Sequence, residues 1–233
     1  MIYPPYVPFV ITCAGRDGST WLGRMLGNRL DTFWFDEFFS TAYALKRGVK
    51  DKSCKELSDI LRAKIFCPNF LCAAAGFKFV DWQVPYVLDI LKPYPSLHVI
   101  HICRSNFLRR YLSWKMTEQS KVWCTADKEY TPTGRLFINT THMLNHFVWV
   151  QNWYKSQKEI FRDRPSTEII YESLVRDTQV QFDRICAFLG LHPEEPYSWT
   201  VKLESRRLSE IIINYDEVCL ALKGTQWENF LDD

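Results

Sequence analysis

The chain has 233 residues, 47% of them apolar and 24% charged, with a formal net charge of +2. That length suits one domain, residues 1–233, with a sizeable core. The near-balance of charge argues against a general nucleic-acid or membrane-surface binder, which carries a marked excess of Lys and Arg.

In chain order, "VPFVITC" (Val7–Cys13) is a short apolar run ending at Gly15, the pattern of a buried parallel strand. "STWLGRMLGNRL" (Ser19–Leu30) has helical apolar spacing, with Ser19 or Thr20 as N-cap. "TFWFDEFF" (Thr32–Phe39) reads as a second strand or an extended edge, and residues 41–66 as a polar helical stretch. "FKFVDW" (Phe77–Trp82) and "LHVIHIC" (Leu97–Cys103) read as strands, with a short helix near Val84–Leu91 between them. Residues 105–121 and 138–163 have helical patterning, and 124–137 a loop composition with Pro132 and Gly134. "TEIIYESL" (Thr167–Leu174) reads as a further strand, and "DTQVQFDRICAFLG" as an amphipathic helix closed by Gly190. Residues 205–233 suit one or two short helices. Strands alternating with helices predict an α/β fold, a parallel sheet covered by helices on both faces.

Nine Trp and sixteen Phe imply a full core with aromatic pocket walls. Eight cysteines include no Cys-x-x-Cys pair and no His at zinc spacing, Cys67 and Cys72 being the nearest two. They are read as reduced thiols of a cytoplasmic protein, Cys13 and Cys103 lying within predicted strands. Residues 1–13 carry prolines and no basic start, and their apolar run is too short to span a bilayer.

The stretch "ITCAGRDGSTW" (Ile11–Trp21) poses the chemical question. A glycine turn directs successive N–H groups into one concavity, and the following helix adds its positive end, so the position suits an anion. A triphosphate loop would place Gly-Lys before its Ser or Thr. Here Ser19 follows Gly18 directly and the cation comes early, at Arg16. The pattern fits a single phosphate-like group without Mg²⁺, and taken alone fits a ligand-free turn as well. In "LHVIHICRSNFLRRYLSWK" a strand ends at Arg104 and a helix starts at once. An Arg at the C-terminal edge of a parallel sheet faces the crevice where such folds bind ligands. Ser113, further along that helix, can turn back towards the same ligand. A cap or surface ion pair would also account for Arg104.

Together these segments resemble sulfotransferases that use 3′-phosphoadenylyl sulfate. "GRDGSTWL" is similar to their 5′-phosphosulfate loop, usually [Arg/Lys]-Ser-Gly-Thr-Thr-Trp-Leu, and "VIHICRSNFLRRYLSW" to their 3′-phosphate motif. "IIYESLVRDTQVQFDRICAFLGL" (Ile169–Leu191) resembles the family's Tyr-Glu-Asp-Leu segment and the helix ending Phe-Leu-Gly. "INYDEVCLALKGTQWENFL" resembles the tail of bacterial carbohydrate and nodulation-factor sulfotransferases. Residues 41–75 and 121–165 are unmatched. Two departures stand out. Asp17 replaces the usual Ser, placing a carboxylate where an anion should bind, with three outcomes open: it points away, caps the helix start or pairs with Arg16. Ser113 lies one residue further from Arg104 than in the animal cytosolic enzymes.

The resemblance implies a P-loop NTPase-like three-layer sandwich and in-line transfer of a sulfonyl group to a hydroxyl or amine, leaving adenosine 3′,5′-bisphosphate, without a metal. It implies that Arg16, Asp17, Gly18, Ser19 and Thr20 surround the 5′-phosphosulfate. Trp21 would stack on adenine, Tyr171 would reach its edge, and Arg104 and Ser113 would hold the 3′-phosphate. Lys202, Arg206 and Arg207 form a basic patch that would close over it. Glu37, amid aromatics that would raise its pKa, is the favoured general base, with Asp36 and Asp81 as rivals. Relatives that use a His after a strand Lys have it where Val80 stands here; the Lys is present as Lys78, placed to steady the bridging oxygen.

His98 and His101 are read as structural strand residues. His142 and His146, four apart on a predicted helix, have a spacing that binds metals but no third ligand. The acceptor is expected to be a carbohydrate or small natural product, walled by the two unmatched regions. The alternatives are a P-loop nucleotide or small-molecule kinase, which needs the missing Lys, and a non-catalytic module that binds adenosine 3′,5′-bisphosphate. Oligomeric state has no signature in the sequence.

Overall fold

The computed structural model describes residues 6–39, 54–66, 72–80, 86–127, 129–130, 133–200 and 206–232. Five strands, β1 (Val7–Cys13), β2 (Thr32–Trp34), β3 (Ala74–Val80), β4 (His98–Cys103) and β5 (Ser166–Ile170), form one sheet in the order β2-β3-β1-β4-β5. Every pairing is parallel, so the expected α/β class is the one observed. The register sets Ile11 beside Lys78 and Thr12 beside His101.

Period-two alternation sends the strand side chains into two cores. Phe9, Ile11, Cys13, Ile100 and Ile102 pack with Leu22, Met25 and Leu26 of α1 (Ser19–Gly27). Phe182, Ile185 and Cys186 of a later helix (Thr178–Phe188) complete that face. Val10, Phe77, Phe79 and Val99 point the other way. They meet Leu57 and Leu61 of α2 (Cys54–Leu61) and Val87 and Ile90 of α3 (Tyr86–Leu91). Polar Lys78 sits between Phe77 and Phe79 and therefore projects towards α1. Aromatic bulk at the β2 edge is admitted by missing side chains. A Cβ on Gly23 would lie 2.4 Å from the Trp34 indole, and Trp34 stacks on Phe9 with centroids 6.0 Å apart.

The third core joins α4 (Phe107–Ser120) and α5 (Thr140–Ile160) to the C-terminal helices. Asn106 caps α4 by accepting the Arg109 N–H at 2.8 Å, and Asn139 caps α5 by accepting that of His142 at 2.9 Å. α6 (Tyr171–Arg176) and α7 (Thr178–Phe188) follow β5, and α8 (Leu208–Ile211), α9 (Tyr215–Leu222) and a 3₁₀ turn (Glu228–Leu231) close the chain. Gly190, after α7, has φ +66°, as its place beyond a helix end requires.

Three boundaries differ from expectation. β2 stops at Trp34 instead of reaching Phe39, because Asp36 turns into the left-handed region (φ 53°). The Asp36 carbonyl then takes the N–H of Phe38 and of Lys78, both at 2.8 Å. β5 ends at Ile170, and the apolar run beyond it is the helix α6: short apolar segments do not distinguish the two conformations. Between residues 54 and 66 the helix passes into a π turn at Arg62–Phe66; residues 41–53 lie outside the described residues, as do Asp81 and Trp82. Cys13, Cys72, Cys103, Cys124, Cys186 and Cys219 are free thiols, and burial pushes that of Cys13 up to about 12. Among the described residues no helix is long and apolar enough to cross a membrane.

Candidate functional site

Between β1 and α1 the chain turns through three left-handed residues: Gly15 (φ 74°), Arg16 (φ 59°) and Gly18 (φ 84°). Such a turn aims N–H groups at one point and hands them on to the start of α1. For Arg16 the conformation is unfavourable, and it persists because neighbours fix it. Its Nε donates to Ser113 Oγ at 3.1 Å and its Nη1 to the Trp123 carbonyl at 2.8 Å.

Asp17 is fully buried. Its Oδ2 accepts the Ala14 N–H at 2.7 Å and its Oδ1 the Arg110 Nε–H at 2.9 Å. Tyr154 also bonds to it. The carboxylate thus turns into the loop, not towards a ligand. The expected contact between Asp17 and the phosphosulfate has a different geometry: the carboxylate bonds to the backbone and to Arg110, whose guanidinium offsets its charge.

Arg104 stands at the end of β4. Its Nη1 donates to the Arg16 carbonyl at 3.4 Å, and its guanidinium lies over the Tyr171 ring, 4.7 Å from the centroid. Glu172 Oε1 is 3.6 Å from Arg104 Nε, and the same carboxylate receives the N–H groups of Ser105 and Asn106 at the entrance to α4. Arg104 Nε is buried without a hydrogen-bond partner among the described residues. Arg16 and Arg104 therefore converge. Burial first, and then the Arg104 charge, push the Arg16 guanidinium down to about 10. Two half-buried guanidiniums converging at one place, one with an N–H that makes no hydrogen bond, suit an anion.

Tyr171 opens α6 directly after β5. Its ring lies so close that a Cβ on Gly18 would fall 2.4 Å from Tyr171 Cδ2. Trp21, on α1, meets it edge to face with centroids 6.5 Å apart. Burial raises the Tyr171 phenol above its ordinary value.

On the β3 side, Lys78 Nζ lies 2.8 Å from Glu37 Oε1, 3.5 Å from Asp36 Oδ1 and 3.2 Å from Thr20 Oγ1. Burial alone would lower this amine. The charges of Glu37 and Asp36 outweigh it and hold the pKa above its ordinary value, so Lys78 is a cation. Glu37 is not enclosed by the neighbouring phenylalanines: Phe38 and Phe39 turn into the core with Phe77, while the carboxylate faces Lys78. The expected apolar enclosure of Glu37 is replaced by an ion pair, because the left-handed turn at Asp36 rotates the two rings inwards and the acid outwards. Arg24 reaches Asp36 Oδ2 at 3.5 Å and lies 5.0 Å from the Trp199 ring.

One cavity of about 920 Å³ has Arg16, Gly18, Ser19, Thr20, Trp21, Glu37, Lys78, Arg104, Ser113 and Tyr171 in its walls. Asp17 and Arg206 are not in its lining. Arg206 donates to the Gly134 carbonyl at 3.0 Å, which places its guanidinium on the 133–136 segment. Arg207 carries the N-cap of α8, closed by Glu210. Lys202 lies outside the described residues. The cavity extends beyond the predicted residues to Trp114, Trp123, His146 and Trp149.

His101 is buried and accepts or donates one bond with Thr12 Oγ1 at 2.8 Å; burial pushes it down to about 4. His98 stays at a strand start near the Ser96 carbonyl. His142 and His146 both stack on Trp114, and His146 receives Arg110 Nη1 at 2.6 Å. Sequence reasoning missed Arg110, His146 and the tryptophans of α4 and α5. Arg110 carried a signal, since a charged residue on the inward face of an apolar helix needs a partner, but nothing local named Asp17 as that partner. Among the described residues no group of three His, Cys, Asp or Glu side chains is placed to hold a metal.

No family model matches the chain, and no curated protein matches it in sequence. Solved structures do. A sulfotransferase from Alicyclobacillus acidocaldarius is 15% identical with a TM-score of 0.57, over 85% of this chain and 86% of that one. A sulfotransferase domain from the curacin biosynthetic pathway is 16% identical with a TM-score of 0.52, over 83% and 76%. The chain therefore has the P-loop-like α/β fold of these sulfotransferases: a parallel five-stranded sheet flanked by helices.

Proposed function

We propose that the chain is a sulfotransferase of one domain. It moves a sulfonyl group from 3′-phosphoadenylyl sulfate to a hydroxyl or amine of a carbohydrate or small natural-product acceptor, and releases adenosine 3′,5′-bisphosphate. The observation that carries this reading is the convergence of Arg16 and Arg104 on one cavity, the second with a buried Nε–H that makes no hydrogen bond and has only the Glu172 carboxylate 3.6 Å away. The residues fit a doubly anionic nucleotide. The N–H groups of Gly18, Ser19 and Thr20 offer the start of α1 to the 5′-phosphosulfate, and Arg104 with Ser113 offers a second pole to the 3′-phosphate. Trp21 and Tyr171 stand beside that pole with aromatic surface for the base. Free thiols fit a reducing, cytoplasmic setting.

In the reaction Glu37 takes the proton of the acceptor as its oxygen bonds to sulfur. The bond from sulfur to the bridging oxygen breaks, and that oxygen keeps the electron pair as part of the 5′-phosphate. Lys78 and Thr20, 3.2 Å apart, lie where that charge is stabilised. The present ion pair between Lys78 and Glu37 has a mechanistic meaning: as Lys78 moves onto the bridging oxygen, Glu37 is released to act as base. Lys78 also does the work that a triphosphate loop assigns to its own lysine, reaching the site from the neighbouring strand.

Thermal shift assays test the nucleotide assignment. Adenosine 3′,5′-bisphosphate should stabilise the protein more than ATP with Mg²⁺, and the opposite preference rejects the reading. For catalysis, Glu37→Gln should bind adenosine 3′,5′-bisphosphate as the parent does while losing about 10²–10⁴ of turnover in a labelled-donor assay across acceptor classes. Unchanged turnover removes Glu37 from the role of base.

A further inference from the structure

One buried pair joins the two walls of the cavity. Arg110, on α4, uses all three guanidinium nitrogens. Nε donates to Asp17 Oδ1 at 2.9 Å, Nη2 donates to the Ala14 carbonyl, and Nη1 lies 2.6 Å from His146 Nε2 on α5. Asp17 returns to the same peptide by accepting the Ala14 N–H at 2.7 Å. The Asp17–Arg110 pair thereby closes a clamp on both polar groups of Ala14, the residue at which β1 becomes the phosphate loop. Side-chain exposures of 0% and 3% put this clamp out of reach of solvent.

The third bond fixes chemistry on the far wall. A guanidinium only donates, so His146 Nε2 must accept and its proton must sit on Nδ1. Burial first, and then Arg110, His142 and Lys115, disfavour a charged ring and push His146 down to about 3. The ring is held flat against Trp114, with centroids 4.9 Å apart and planes within 9°. Arg110 occupies Nε2, and the ring lines the cavity.

We propose that Asp17 and Arg110 are a positioning pair that shapes the phosphate loop for its anion and, through the same guanidinium, holds His146 as a neutral Nδ1–H donor for an uncharged oxygen or nitrogen of the acceptor. The proposal rests on the sulfotransferase reading and explains why this loop tolerates a carboxylate where the resembling loops have Ser. It makes a prediction of inverted sign. Electrostatics alone says that deleting a negative charge beside an anion site tightens anion binding. Loss of a clamp says that it weakens it.

The test titrates adenosine 3′,5′-bisphosphate calorimetrically into the parent, Asp17→Asn, and the charge-balanced Asp17→Ala/Arg110→Met. Both variants should bind about tenfold or more weakly, through lost preorganisation. Equal or tighter binding by either folded variant overturns the clamp. The double variant leaves no unpaired buried charge, and so keeps the test open should Asp17→Asn fail to fold. In parallel, long-range ¹H–¹⁵N correlation of histidine-labelled protein should show His146 protonated on Nδ1 in the parent, and mixed tautomers in the double variant. A parent ring protonated on Nε2 overturns the proposal. A parent that binds no bisphosphate refutes the nucleotide assignment instead, and the tautomer measurement still decides the pair.

Discussion

Gly18→Ala separates two physical demands made on the loop between β1 and α1. The first is backbone: at φ +84° an L-residue with a side chain is in the left-handed region, at about 1–2 kcal/mol. The second is space. The added Cβ would lie 2.4 Å from Tyr171 Cδ2 and 2.8 Å from Cε2, so the ring must move off the loop. Overpacking of that kind costs about 1–3 kcal/mol. Gly190 supplies the control, since its φ is +66° with nothing within 4 Å of the added Cβ. For a chain of this size 1 kcal/mol shifts Tm by about 2–4 °C. Taking about 1 kcal/mol for Gly190→Ala and about 3 kcal/mol for Gly18→Ala, calorimetry should show falls of about 3 °C and about 9 °C.

A double-mutant cycle assigns the difference. In a Tyr171→Ala background the steric part disappears, so the two substitutions should show a coupling of about 2 kcal/mol, well above the few tenths expected of independent sites. Because the displaced ring lies against Arg104, Gly18→Ala should also weaken adenosine 3′,5′-bisphosphate while Gly190→Ala leaves it unchanged. Equal Tm losses for the two alanines, or a coupling indistinguishable from zero, would refute the claim that Tyr171 is seated by Gly18.

Two further outcomes can be measured directly. Arg104→Gln should weaken adenosine 3′,5′-bisphosphate by roughly 10–100-fold, as expected for losing a charge-assisted bond, with adenosine 5′-phosphate little affected; an equal loss for both nucleotides would move Arg104 away from the 3′-phosphate. His101 titrates near 6.5 when unfolded and at about 4 when folded, because it is buried. The unfolded chain therefore binds more protons between those values, and stability is lost as pH falls through that window, by up to about 3 kcal/mol from this one group. Urea midpoints at pH 7 and pH 4.5 should show a smaller acid loss in His101→Gln than in the parent, and identical losses would place the acid sensitivity elsewhere.

Much of the frame is legible in the sequence because its signals are local. An apolar run, a glycine turn and a helical period within Val7–Leu30 are enough to place β1, the loop and α1, and the strand ending at Arg104 follows from the same kind of pattern. The errors arise where a local pattern has two solutions. Thr167–Leu174 could continue as strand or turn into helix, and Glu172 tips it to helix by taking the N–H groups of Ser105 and Asn106, residues more than sixty positions away. Asp36 carries no local sign that it will adopt φ 53° and turn Phe38 and Phe39 inwards.

Asp17 shows the limit most clearly. Position in the loop says "ligand", and residue chemistry says "not an anion's neighbour". The conflict resolves only through Arg110, 93 residues on. In "FLRRYL" the choice between Arg109 and Arg110 as the inward residue is one of helix phase: Arg110 is buried, whereas Arg109 sends Nη1 to the Arg206 carbonyl. The absent loop lysine has the same kind of answer. Alternation along β3 turns Phe77 and Phe79 into one core, so Lys78 must project to the opposite face, towards Thr20 in the first turn of α1. On the sulfotransferase reading, the cation that a triphosphate loop carries in its own sequence would reach this site across a parallel pairing, Ile11 beside Lys78. What the proposed anion requires is a charge at that point in space, and the sheet register offers one without any requirement on the loop.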